Sequence, residues 1–546
     1  MNIKEKAVGS KWMVSSAHPL ATKAGIKVLE SEGNAFDAAI AVASTLNVVE
    51  PFMSGMGGIG VALLHLAKTN EIKALDFSGK TPSNTHLSQF KDPTIQDKCN
   101  PKNVGTSGPK TALIPGNLAG WYEIHKKYGT KPWASLFKDA INHAKNGYKV
   151  TPFAEQIMLG ASDRLSQMGS ISQLSDENSQ LPKTGSKIYA HKLAESFQKV
   201  SEFGPKVFYE GEIAEKIAVG CKENGGQINI EDLGRYKPEW KEPIHIIYKD
   251  HIIYGAPPNS AAFQILQTLK LLELLEIGQL SEESPDFLHL FLESAKLAVS
   301  DRIEYAGDPI RNPVPIDKLI SEIYLKGQLK RINPIKASSS PGDRFLSHRP
   351  AETLQPGEFD GGSTTHFTVA DKDGNVINIT QTLGGTFGSC FAPSDTGIFL
   401  NNMCYWFDLE EGSPNIIGPD KQVDFCCSPI QIFRNDKFYA SIGTPGSWGI
   451  MQTTPQIISN IIDRGLDIQS AIERPRIKSI IGKEVQSEDR FPQETFNRLS
   501  EMGHEITKMG KFYYSLGGAQ GIIRDPETNE YSGGADPRRD GYAEGA

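Results

Sequence analysis

The chemically most suggestive residues lie in the run TTHFTVADKDGNVINITQT, residues 364–382. It alternates polar and apolar positions on both sides of Asp373-Gly374, the pattern of a β-hairpin. A loop of Lys372, Asp373 and Gly374, with Gly374 left-handed, puts Thr364 opposite Thr382. One face then collects Thr364, His366, Thr368, Asn378, Thr380 and Thr382. The other collects Phe367, Val369, Ile377 and Ile379. A two-residue loop would mix the faces, so the alternation selects the first register. Hydroxyls and an imidazole in one row can donate, accept and, once activated, attack. The same row also suits a solvent-facing sheet of β-favouring threonines, and alternation alone does not separate the two.

Two glycine-rich turns carry further chemistry. Gly443-Thr444-Pro445-Gly446-Ser447 lies between a strand pattern and a helix pattern, where backbone N–H groups can bind an anion or simply turn the chain. Gly55-Met56-Gly57-Gly58-Ile59-Gly60 fits G-x-G-x-x-G. A dinucleotide fingerprint follows a strand and opens a helix, whereas this one follows a helix and opens a strand, so nucleotide binding is not expected. The six cysteines form no C-x-x-C, and the twelve histidines form no H-E-x-x-H. No metal and no cofactor are expected from these spacings.

Periodicity predicts helices over 19–32, 36–48, 116–128, 132–146, 188–200, 210–223, 261–276 and 285–303. Strands are predicted at 61–66, 72–77 and 245–254, the last as one run. After Asn333 the chain turns rich in Ser, Pro, Gly and Asp up to Ser363, a functional or disordered stretch. At Thr364 it switches to strand. Further strands are expected at 429–433 and 438–442, with helices at 449–464, 467–474 and 493–502.

The chain of 546 residues has a net charge of −8. That acidity argues against nucleic acid or an anionic membrane as partner. No apolar run reaches the roughly 18 residues of a membrane span. The polar start, without an apolar leader core, reads as cytoplasmic.

The segment GGSTTHFTVADKDGNVINITQTLGGTFGS resembles the processing site of the γ-glutamyltransferase family of N-terminal nucleophile hydrolases. NVVEPFMSGMGGIG, GNLAGWYEIHKKYG, GIFLNNM and the tail GGADPRRDGYAEG resemble other segments of that family in the same order. The resemblance implies an α+β fold, a four-layer αββα sandwich. It implies self-cleavage of the Ser363–Thr364 bond. Residues 1–363 would become a large subunit ending in the 333–363 segment, and residues 364–546 a small one, and the two would stay associated. Thr364 would be the nucleophile and its freed α-amine the base. Thr382 would orient it, and the backbone of Gly446 and Ser447 would hold the oxyanion. The substrate would be a small-molecule amide.

The chain departs from the family where the donor would be recognised. Ser78 stands at the position of the family's carboxylate-binding Arg, with Lys80 the nearby cation. Trp406 stands at the ammonium-binding Asp, just beyond Met403. Phe425 and Cys426 replace a pair of serines, and Gly384 replaces an Asn. These positions, with Trp448, imply a less charged, aromatic pocket. The expected function is amide hydrolysis or acyl transfer with an acyl group other than an ordinary γ-glutamyl. A γ-glutamyl enzyme with a replaced clamp and a non-catalytic scaffold are the alternatives.

Overall fold

The computed structural model describes residues 5–90, 106–174, 181–339, 363–393 and 395–546. Most of the 333–363 stretch, residues 340–362, therefore lies outside the described residues. The alternating run does form a hairpin. Ser363–Ala370 pairs antiparallel with Val376–Gly384, with Thr364 opposite Thr382, His366 opposite Thr380 and Thr368 opposite Asn378. Gly374 takes φ +87°, as the bulged turn requires. The Asp371 carboxylate accepts the N–H groups of Asp373 and Asn375, both at 3.0 Å, which stiffens the loop.

This hairpin occupies the middle of a seven-stranded sheet. Tyr542–Gly545 and Met13–Ser16 flank it on one side. Ile59–Leu66, Glu71–Phe77 and Glu239–Lys241 follow on the other. A second seven-stranded sheet runs Ala7–Gly9, Tyr531–Ala535, Gln520–Arg524, Lys437–Gly443, Ile430–Arg434, His251–Gly255, Ile244–Tyr248. The polar hairpin face meets this second sheet rather than solvent. Asn378 Nδ2 donates to the Ile430 carbonyl at 3.0 Å, and the hydroxyls of Thr368 and Ser441 lie 3.3 Å apart. Phe367, Val369, Ile377 and Ile379 pack into the core shared with the helix Ala35–Val49. The helices Ala262–Leu274 and Ile450–Ile462 cover the second sheet's outer side. The order helix, sheet, sheet, helix is the α+β sandwich expected.

Most expected elements appear, with ends moved by a few residues. The first helix is Pro19–Glu30, and Asn34 and Asp37 form a capping box that starts the next. The single strand expected over 245–254 is instead a tight hairpin, Ile244–Tyr248 and His251–Gly255, turning at Lys249 with φ +51°. The charged pair Lys249-Asp250 between two Ile-Ile-Tyr runs is the turn that a single-strand reading passes over. Tyr531–Ala535, which reads Tyr-Ser-Gly-Gly-Ala, has no alternation and becomes a strand only by pairing on both edges. Among the described residues, no helix is long and apolar enough to cross a membrane.

Candidate active site

Thr364 begins a buried hydroxyl relay. Its Oγ1 donates to Thr382 Oγ1 at 3.1 Å, and Thr382 Oγ1 donates to the Ser363 carbonyl at 2.5 Å. The Gly384 N–H donates to the same Thr382 oxygen at 2.8 Å. One hydroxyl has one proton to give and two lone pairs to fill, so Thr382 is fully used and its rotamer is set. The antiparallel register supplies this contact, because directly opposed residues share a face. Arg539 Nη1 donates to the Thr364 carbonyl at 3.2 Å and fixes the backbone next to the nucleophile candidate.

His366 shares the face but is no base for Thr364. Its Nδ1 lies 2.8 Å from Thr380 Oγ1, and its ring presses against Gly443. Burial drives its pKa down to about 3, so the imidazole is neutral at physiological pH.

The Gly446 turn closes the second sheet's strand onto the helix Ile450–Ile462. Gly446 has φ +138° and Ser447 φ +55°, so a non-glycine residue occupies the left-handed region. Thr444 Oγ1 pins the turn, donating to the Pro445 carbonyl at 2.8 Å and accepting from the Gly518 N–H at 3.0 Å. A Cβ on Gly518 would meet Arg539 Cδ at 2.5 Å, so the turn and the Thr364 backbone share one guanidinium as neighbour.

Met403, Trp406, Phe425, Cys426 and Trp448 come together in one buried apolar cluster with Ile59, which lies opposite Thr382 in the sheet. The Trp406 and Trp448 rings are 4.9 Å apart. Gly384 has φ +96°, and a Cβ there would meet Asn402 Oδ1 at 2.3 Å and Met403 Sδ at 3.0 Å. Asn is therefore excluded at 384 unless this corner moves.

Ser78 follows Phe77, the strand partner of Gly60, at the same end of the sheet as Thr382. It is buried in a polar knot: its Oγ accepts from Asn259 Nδ2 at 3.0 Å and Gln422 Nε2 at 3.3 Å. Lys80 is not part of that knot. Its ammonium pairs with Glu239 at 2.9 Å in a half-exposed position. The cation beside Ser78 is Lys241, 2.6 Å from Asp76, whose carboxylate also receives the Ser78 N–H at 2.8 Å. Burial pushes the Asp76 carboxyl up, but the Lys241 charge and these hydrogen bonds prevail and hold it below the usual range.

Lys241, Gln422, Asn259, Arg539 and Glu50 were not legible as site residues. Glu50 and Arg539 do lie in two of the motifs noted above, NVVEPF and DPRR. Glu50 is buried and accepts the Thr365 hydroxyl at 2.9 Å. Burial pushes its pKa to about 8, against the opposing pull of Arg539. Among the described residues, one set could approach a metal: His289, Glu293 and His504. The Lys296 ammonium already sits 2.8 Å from Glu293 and fills the cationic role there.

The sequence profile described as Gamma-glutamyltranspeptidase matches residues 21–546. The glutathione hydrolase proenzyme of Bacillus subtilis is 31% identical over 549 residues, covering 99% of this chain and 92% of its own. The acylase ACY 1 proenzyme of Pseudomonas sp. strain V22 is 31% identical, covering 98% of this chain and 94% of its own. The crystal structure of cephalosporin acylase from Bacillus halodurans superposes with a TM-score of 0.90 at 28% identity, covering 100% of this chain and 98% of its own.

Proposed function

The chain belongs to the gamma-glutamyltranspeptidase family, and on that footing we propose that it is a self-processing amidohydrolase or acyltransferase with Thr364 as nucleophile. The observation that carries this is the relay from Thr364 Oγ1 through Thr382 Oγ1 to the Ser363 carbonyl. The Thr364 hydroxyl and the Ser363 carbonyl both bond to one oxygen, Thr382 Oγ1, which supports this reading. In processing, Thr364 Oγ attacks the Ser363 carbonyl carbon while Thr382 stabilises the developing oxyanion. The C–N bond breaks, the nitrogen takes the hydroxyl proton, and an ester remains. Water cleaves the ester, leaving a Ser363 carboxylate and a free Thr364 amine with a reference pKa near 8. That amine then serves as base when the same hydroxyl attacks a substrate amide. The N–H groups of Gly446 and Ser447 receive the oxyanion in turnover. Strands from both sides of residue 364 are interspersed in the hairpin sheet, so the two products of cleavage stay interlocked.

The acyl group is other than an ordinary γ-glutamyl. A donor with an α-carboxylate and an α-ammonium needs an opposite charge for each once water is gone. At the matching positions stand Ser78 and Trp406, and the local ion pair of Asp76 with Lys241 neutralises itself. The likeness to a glutathione hydrolase proenzyme favours a second reading, a γ-glutamyl enzyme that reads its donor differently. The measurement is hydrolysis of glutathione beside neutral and aromatic acyl amides by processed protein. Faster turnover of amides that lack a γ-glutamyl group is expected. Preference for glutathione would establish the second reading. A chain that stays uncut and inert would favour the scaffold.

A further inference from the structure

One buried cation beside the Gly446 turn has no counter-charge. Lys478 lies on the short strand Ile477–Ser479 and is only 7% exposed. Its Nζ has one long hydrogen bond, to the Ser515 carbonyl at 3.5 Å, and no carboxylate of the described residues pairs with it. Its neighbour Arg476, by contrast, is matched by Asp536 at 2.7 Å. An ammonium taken out of water favours an opposite charge beside it, so this lysine is placed to pair with an anion.

The surroundings are built for an anion. The hydroxyls of Ser447 and Ser515 are buried and have no hydrogen-bond partner. A Cβ placed on Gly449 would lie 3.6 Å from Lys478 Nζ and 3.7 Å from the Ser515 carbonyl, and one on Gly446 would lie 3.5 Å from that carbonyl. The ammonium, Ser515 and the turn are therefore in contact. Gly449 is also the N-cap of the 13-residue helix Ile450–Ile462, and no side chain caps it. The positive end of that helix adds to the same field. The Thr364 backbone is close through one residue: Arg539 donates to the Thr364 carbonyl at 3.2 Å and to the Tyr514 carbonyl, next to Ser515, at 3.3 Å.

We infer that Lys478, with the hydroxyls of Ser447 and Ser515, forms an anion subsite beside the oxyanion turn that takes a carboxylate carried by the substrate. The substrate class is thus an amide with a free carboxylate on its acyl or its amine part. This rests on Thr364 being the nucleophile.

The test compares wild type with Lys478→Met and Lys478→Arg on matched amides. Glutaryl against valeryl p-nitroanilide probes the acyl side. The valeryl amide of p-aminobenzoate against that of aniline probes the amine side. In Lys478→Met, KM for one acidic substrate should rise about thirtyfold or more, since a buried charge loses its partner. The neutral substrates should change less than about twofold, and Arg should restore most of the loss. Equal loss of kcat on acidic and neutral substrates, or no change on either, overturns the subsite. Calorimetric binding of glutarate and of p-aminobenzoate to both proteins needs no turnover. A ligand held by wild type and lost in a folded Lys478→Met protein supports the subsite even if Thr364→Ala turns out still to hydrolyse amides. No binding of either ligand to wild type overturns it.

Discussion

The corner around Thr364 and the wall around Trp406 are built by opposite means. At Thr364, ladder register brings two hydroxyls and a carbonyl together, and every lone pair of Thr382 is used. At Trp406, rings and sulfur atoms from separate segments fill most of the space, with the Arg302 guanidinium stacked 3.4 Å over Trp448 and paired with Asp424 at 3.4 Å. The first arrangement tolerates almost no substitution, because each atom answers to another. The second tolerates many, because apolar packing asks mainly for volume. One fold can therefore keep its chemistry while its substrate changes.

The sharpest way to break that comparison is Thr364→Ala. Intact-mass measurement should show one uncut chain, and turnover should fall by at least ~10³-fold. Thr382→Val keeps volume and removes one hydroxyl; processing followed by gel should slow by about a hundredfold. Trp406→Ala should cost about 3 kcal/mol in denaturant unfolding yet leave cleavage at Thr364 intact. If it blocked cleavage as strongly as Thr382→Val, the two regions would not be separable. Gly384→Asn restores the residue that the family resemblance places there. It should nevertheless destabilise the fold by about 2 kcal/mol, because φ is +96° and Asn402 Oδ1 stands where the Cβ must go; thermal unfolding reads it.

A pH-dependent effect concerns Glu50, behind the hairpin. Its folded pKa is about 8 against a reference of 4.5. Between those values the unfolded chain has released a proton that the folded chain keeps. The contribution is complete below pH 4.5 and is lost as pH rises through about 8. Stability should therefore decline across that window, and Glu50→Gln should flatten the decline in unfolding curves taken from pH 5 to pH 9.

What was legible depended on distance along the chain. The hairpin register, Gly374 in its turn and the main helices follow from period-2 and period-3.6 patterns and turn residues, all within about 20 neighbours. The direction of the threonine row did not follow. Solvent and a second sheet impose the same alternation, and only the packing of Ser441 and Ile430 against Thr368 and Asn378 decides between them. Likewise, the sequence shows that Ser78 carries no charge, but not that Lys80 turns to Glu239 while Lys241 reaches Asp76. The unpaired state of Lys478 is invisible in Arg-Ile-Lys-Ser, since its neighbours Ser447 and Ser515 arrive from elsewhere in the chain. Local periodicity chose the elements and the residues able to react. Tertiary structure chose their partners, because burial and charge pairing depend on atoms that meet only when the two sheets close.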